Sequence, residues 1–217
     1  MKPRLTIKTL QMEAAAFAKT ESGHNEPALY GVTDGKAVGT YLEHKFQDLL
    51  ESKYSYDRGG SAKGIDFPSL NVDLKVTSTK QPQSSSPFES AQQKIRGLGY
   101  SLLILVYEKL DDHKTRTGSL HICHTVYLDK SRTADYQTTR GILEILKREG
   151  NADDLVAFMN DRNLPIDDVK AIQLAEDLLE HPPKVGYLTI SNALQWRLQY
   201  KRVIESAGTI SGIIRVS

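Results

Sequence analysis

The stretch Tyr100 to Glu108, YSLLILVYE, is a continuous apolar run too short for most helices. Such a run suits a strand buried on both faces, and a strand of that kind needs one layer of structure above it and another below. Ser119 to Leu128, reached through the polar turn Asp111 to Gly118, reads as a neighbouring strand. Ahead of them, residues 8 to 20 read as a short helix. Gly35 to about Lys53 reads as a second, with Val38, Leu42, Phe46, Leu49 and Leu50 at helical spacing. Lys80 to Pro87 is polar, with two prolines and three consecutive serines, and reads as a surface loop; Phe88 to Leu98 reads as a helix. The order of helices and strands is that of an α/β fold. From Gln137 to Glu180 the texture is helical, and His181-Pro182-Pro183 ends it. Tyr187 to Ile190 is short and β-prone, and Ser191 is placed to cap a last helix running to about Glu205. One domain over 1–217 is expected: a core at about 35–130, a helical elaboration at about 135–182 and a final helix at about 191–205.

With 39% hydrophobic and 25% charged residues among 217, the composition is that of a globular chain. No run approaches the roughly 20 apolar residues that cross a bilayer, and the first residues, MKPRLTIKTLQMEAAAF, lack a secretory pattern. The single cysteine, Cys123, excludes an intramolecular disulfide. A cytoplasmic protein without membrane contact is expected. No glycine-rich phosphate loop is present, so no nucleotide cofactor is expected. His121-Ile122-Cys123-His124 lacks a second ligand pair, and strand alternation would send its two histidines to opposite faces, against zinc. The net charge is +1, yet it is polarised: Lys184 to Ser217 holds five basic residues and one acid, while Glu149 to Glu180 is acidic. That polarity is compatible with nucleic acid and does not demand it.

The chemistry concentrates in FPSLNVDLKVTST. Val72, Leu74 and Val76 alternate with Asp73, Lys75 and Thr77, so Asp73 and Lys75 leave the strand on one side. Alone, such a pair is ordinarily an ion pair on a solvated sheet. Asp66, however, lies seven residues before Asp73, across Phe67-Pro68-Ser69-Leu70-Asn71, which allows a tight return that brings the two carboxylates together. Two converging carboxylates repel unless a cation or proton lies between them, so a hard ion such as Mg²⁺ is implied. Glu43 stands on the preceding helix one turn after Gly39, which would leave room beside it for a backbone or a ligand. The chemistry that uses this set is phosphodiester hydrolysis, with Lys75 orienting water and countering charge at phosphorus.

Gly39 to Glu43 (G-x-x-L-E) and Asp66 to Lys75 (D-F-P-x-L-x-V-D-L-K) together resemble the PD-(D/E)xK nuclease superfamily. They are closest to the variant shared by the mismatch-repair nicking endonuclease MutH and related type II restriction enzymes. Ile65 stands where that family has proline, and the gap from Glu43 to Asp66 includes the long loop Ser52 to Gly64. The resemblance covers residues 35 to 110 and implies a restriction-endonuclease-like core, a mixed central β-sheet flanked by helices. It implies Asp66, Asp73, Lys75 and Glu43 as catalytic residues, and Asp66, Asp73, Leu74 and Glu43 as the metal set for Mg²⁺. It also implies a glutamine near the site, Gln92 or Gln93.

Contacts to double-stranded DNA are expected from two places. One is the loop after the catalytic strand, with Lys80, Gln81, Gln83 and Ser84. The other is the last helix, whose Asn192, Gln195, Gln199 and Arg202 form a polar face of the groups that read base edges, with Arg197 and Lys201 for phosphates. The expected function is sequence-specific cleavage of double-stranded DNA, as by a type II restriction endonuclease acting as a homodimer. The alternatives are a MutH-like nicking enzyme and a non-catalytic DNA-binding protein.

Overall fold

The computed structural model of the chain describes residues 2–59, 64–87, 89–191 and 196–217. In chain order the helices are α1 (Ile7–Glu21), α2 (Gly35–Lys53), α3 (Gln93–Arg96), α4 (Tyr136–Lys147), α5 (Ala152–Asp161), α6 (Asp168–Glu180) and α7 (Lys201–Ser206). The strands are β1 (Asn25–Glu26), β2 (Val72–Ser78), β3 (Gln83–Ser86), β4 (Ser101–Asp112), β5 (Thr117–Leu128), β6 (Thr189–Ser191), β7 (Trp196–Gln199) and β8 (Ile213–Arg215).

The apolar run becomes β4, the heart of a mixed sheet ordered β1-β5-β4-β2, with β8 also on β5. β4 pairs antiparallel with β5 and parallel with β2, which leaves β2 at an edge. Alternate residues of β4 serve two cores, as a two-faced strand requires. Leu103, Leu105 and Tyr107 pack under α1 and α2 against Leu10, Phe17, Leu42 and Phe46. Leu102, Ile104 and Val106 pack on the other side against Ile190, Trp196, Leu198 and Val203. That second layer is a small sheet, ordered β3-β7-β6, together with α7. Helices α4, α5 and α6 build a third cluster around Ile142, Leu155 and Leu178. No helix among the described residues is long and apolar enough to cross a membrane.

Three expectations are corrected. Lys80 to Pro87 is not all loop, because Gln83 to Ser86 pairs antiparallel with β7. The helix expected over Phe88 to Leu98 is only the single turn Gln93–Arg96, and Phe88 lies outside the described residues. Of the last helix expected over about 191–205, residues 192–195 lie outside the described residues, and from Trp196 the chain is strand β7 followed by the short helix α7. In β7, Trp196 and Leu198 are buried while Arg197 and Gln199 are exposed. A strand hides both apolar side chains in the layer below β4, which a helix carrying the same four residues would not. Ser191, expected as a cap, is the last residue of β6.

A bulge shifts the β4–β5 register between Val106 and Tyr107, so His121 opposes Glu108 and His124 opposes Val106. Both histidines therefore share a face, contrary to simple alternation. Among the described residues no three histidine, cysteine or acidic side chains gather as a metal cluster.

Gly186 shows how tightly the helical region joins the sheets. A Cβ on it would lie 2.1 Å from the carbonyl oxygen of Ala134. Nearby, the Asp135 carboxylate accepts from Thr138 N–H at the start of α4 (2.9 Å) and from Ile190 N–H in β6 (2.8 Å). Gly186→Ala must push these backbones apart and is expected to cost about 1–3 kcal/mol, measurable as a lower urea midpoint at unchanged slope.

Candidate active site

Asp66 reaches β2 by a short return. Pro68–Leu70 form a turn of 3₁₀ helix, Asn71 follows in the left-handed region (φ 54°), and Phe67 and Val72 exchange backbone hydrogen bonds at 3.0 and 3.3 Å. Asparagine tolerates that conformation better than most residues, and the Asn71 amide is fixed by donating to the Gly99 carbonyl at 2.8 Å. The chain thus folds back along the free edge of β2. There the Leu74 N–H, which has no neighbouring strand to bond, donates to Asp66 Oδ2 at 3.0 Å. A strand residue's own N–H and C=O leave on the same side, so the Leu74 carbonyl faces that edge too.

Asp73 and Lys75 share a face of β2, with Lys75 Nζ 2.7 Å from Asp73 Oδ2. The contact is close but off the direction of a hydrogen bond, and Oδ2 is buried without a hydrogen-bond partner. Burial pushes the Asp73 carboxyl up to about 7; Lys75 works against this, and the neighbouring Asp66 carboxylate adds to it. Burial alone would lower the Lys75 ammonium, but Asp73 outweighs it and holds the group above the ordinary lysine range. Lys75 is therefore a cation, with its side chain only 18% exposed.

Glu43 enters from α2. Asp34 caps that helix through Lys36 N–H, and Val38, Leu42, Phe46 and Leu50 bury one stripe of it. Glu43 lines the same cleft as Asp66, Asp73 and Lys75. Its carboxyl is raised by burial and then by the charge of Asp66, with Lys75 pulling the other way. The space beside Gly39 is filled by β2: a Cβ there would touch Val76 at 4.0 Å, an ordinary contact. A Cβ would fit there without a clash, so the approach of α2 to β2 does not depend on the glycine.

Two residues of the cleft carry no obvious signal in the sequence. Gln47, one turn after Glu43 and buried, donates from Nε2 to Asp66 Oδ1 at 3.0 Å. Its Oε1 accepts from Arg58 Nη2 at 2.6 Å, and Arg58 Nη1 donates to Glu51 at 3.0 Å. Arg58 thereby fixes which end of the Gln47 amide faces the aspartate. Gln47 was legible in one respect, a polar side chain on the buried stripe of α2; Arg58 lies in a loop and gave none. Gln47→Leu is expected to raise the divalent-ion concentration needed for half-maximal activity about 10- to 100-fold, as measured by metal titration of plasmid cleavage.

The oxygens suit a hard cation. Two carboxylates converge, and one of their oxygens is buried without a hydrogen bond. No third acid closes a cage among the described residues. Mg²⁺ is held in this way, by one or two carboxylates with water and phosphate completing its shell.

The expected DNA contacts divide. Asn192 and Gln195 lie outside the described residues. Gln93 is buried, accepting from Trp196 Nε1 at 2.7 Å and bonding Glu89, so it ties α3 to β7 instead of reaching the cleft or DNA. Gln92 is exposed away from the cleft. Arg202 stacks on Tyr136 at 3.7 Å with its Nε buried, a packed position in place of a base-reading one. Ser84 is turned inward, hydrogen-bonded to the Tyr200 hydroxyl. Lys80, Gln81, Arg197, Gln199 and Lys201 are exposed, and Gln83 is half-buried.

A family model described as type II restriction enzyme NspV matches residues 4–215. The type II restriction enzyme NspV of Nostoc sp. (strain ATCC 29411 / PCC 7524) is 62% identical over 212 residues, covering 98% of this chain and 96% of its own length. Among solved structures, the tetrameric restriction endonuclease SfiI bound to cognate DNA is similar with a TM-score of 0.43 and 13% identity, over 92% of this chain and 78% of that one.

Proposed function

The chain belongs to the NspV family of type II restriction enzymes, and from that membership we propose that it hydrolyses double-stranded DNA with Mg²⁺ at the cleft formed by Asp66, Asp73, Lys75 and Glu43. As a family member it is a site-specific deoxyribonuclease. The observation that carries the assignment of the cleft is the convergence of Asp66 on the edge of β2, next to the Asp73–Lys75 pair. The sequence pattern of these four residues resembles the PD-(D/E)xK arrangement, and their lining of one cleft supports that reading.

Asp66, Asp73 and the Leu74 carbonyl would hold the cation. Bound there, Mg²⁺ supplies an activated water and screens the scissile phosphate. Lys75 Nζ, kept protonated by Asp73, donates to a non-bridging phosphate oxygen and counters the charge that builds on phosphorus. Glu43, whose carboxyl takes a proton more readily than an exposed glutamate, receives one from the attacking water. Gln47 holds Asp66 in place throughout. Cutting both strands of a symmetric site calls for a two-fold pair of these clefts, hence a homodimer.

Incubation with bacteriophage DNA and Mg²⁺ tests the reading. Discrete bands that vanish on chelation support it; a smear indicates cleavage without specificity, and intact DNA overturns it. A supercoiled plasmid converted to linear product supports paired cutting, whereas accumulation of the nicked circle would favour single-strand cleavage.

A further inference from the structure

Strand β7 is the middle strand of the small sheet, and its register places six polar residues on one outer face. Gln199 lies opposite both Gln83 and Thr189, and Arg197 opposite both Ser85 and Ser191. Directly opposed residues in antiparallel strands project to the same side, so these form two rungs centred on Gln199 and Arg197. The inner side of the same strands is Trp196, Leu198 and Ile190, packed below β4. Ser85, Arg197 and Gln199 are exposed and the other three half-buried.

The face carries amide, guanidinium and hydroxyl groups and no carboxylate. It is also anchored to the catalytic strand: Thr77 Oγ1, on the same side of β2 as Asp73 and Lys75, accepts from Gln83 N–H and donates to Gln83 O, both at 3.0 Å. Tyr200 N–H donates to Pro82 O at 2.8 Å, closing the second side of the connection. Lys80 and Lys201 line one hollow beside that turn.

Resting on the DNA-cleaving reading above, we propose that this sheet face reads base edges in the major groove, with Arg197 and Gln199 as the specificity-determining residues and Lys80 and Lys201 on flanking phosphates. The dimensions agree. A groove about 12 Å wide admits two strands about 4.8 Å apart, leaving the third against the backbone. Successive same-face residues lie about 6.6 Å apart, close to two base-pair steps of about 3.4 Å. From Asp73 to Thr77, where the face attaches, is about 13 Å along β2, or about four such steps. Arginine pairs bidentately with guanine and glutamine with adenine, so those are the bases assigned to the two rungs.

Selection of bound duplexes from a random double-stranded library, with Ca²⁺ in place of Mg²⁺, tests this without requiring cleavage. The native chain is expected to enrich a symmetric motif. Arg197→Ala is expected to lose preference for one guanine per half-site by about 10- to 100-fold, and Gln199→Ala for one adenine, with the other positions retained. Lys80→Ala and Lys201→Ala should weaken all sequences alike and lower the salt slope by about one each. Thermal melts of the variants check that these exposed changes leave the fold intact. Variants that enrich the native motif unchanged overturn the proposal, as does a native chain that enriches none. Phage-DNA digestion run alongside separates the two readings, because native cutting with undiminished discrimination in Arg197→Ala rejects the sheet face and keeps the cleft.

Discussion

Lys75→Ala is expected to slow DNA cleavage about a thousandfold or more while leaving duplex binding in Ca²⁺ close to native. Two effects add. The ammonium sits in a half-closed cleft beside Asp73 Oδ2 at 2.7 Å, where a charge acts on the phosphate with little screening by water. Its loss also removes the cation that, among the described residues, opposes the proton affinity of Asp73, leaving a buried carboxyl with Asp66 for a neighbour. Asp73 then keeps its proton and becomes a poor ligand at neutral pH. Lys75→Arg should recover little, since a planar guanidinium does not take the place of a compact ammonium. Asp73→Asn, of the same shape but unable to ionise, should show a comparable loss, through the metal and through the support that Asp73 gives the Lys75 ammonium. Single-turnover cleavage of plasmid measures the rate, and gel shift measures binding. A Lys75→Ala chain that cuts at the native rate would place the chemistry elsewhere in the molecule.

How far such a site is legible in the sequence depends on the range over which each residue is positioned. Asp73 and Lys75 follow from strand alternation, which two residues are enough to set. Asp66 follows from the length and turn content of Phe67 to Asn71, a local matter. Glu43 was readable as part of a helix, but its approach to Asp66 rests on the docking of α2 on β2, through contacts that are distant in sequence. Gln47 and Arg58 belong to that docking and were missed with it. The C-terminal segment was misread because polar residues at 192, 195, 199 and 202 fit a helical period, while Trp196 to Gln199 equally fits an alternating one. Four residues cannot decide between the periods; burial of Trp196 and Leu198 against β4 does. The same pairing makes a strand of Gln83-Ser84-Ser85-Ser86, whose own preferences are those of a loop. The α/β order of the central sheet was legible because β4 and β5 are long, β4 opens on a continuous apolar run, and β2 alternates cleanly.

Metal affinity should climb with pH about tenfold per unit from pH 5 and level off near 7, because a cation at the cleft requires Asp73 ionised. The Asp73 carboxyl is raised from 3.8 to about 7, first by burial. Its contribution to the stability of the metal-free fold is complete below about pH 4, declines as pH rises through the interval, and is lost above about 7. There the fold carries an ionised buried carboxylate next to Asp66, a strain that a divalent cation bound at the cleft would relieve. Glu43, also raised by burial, shifts in the same direction. The gain in melting temperature from a fixed excess of Ca²⁺ should therefore be larger at pH 8 than at pH 5, with a proton released on binding below pH 7 that calorimetry in buffers of different ionisation enthalpy detects. Asp73→Asn should flatten both dependences. If the native gain is the same at the two pH values and no proton is released, neither Asp73 nor Glu43, both raised by burial, ligates the cation.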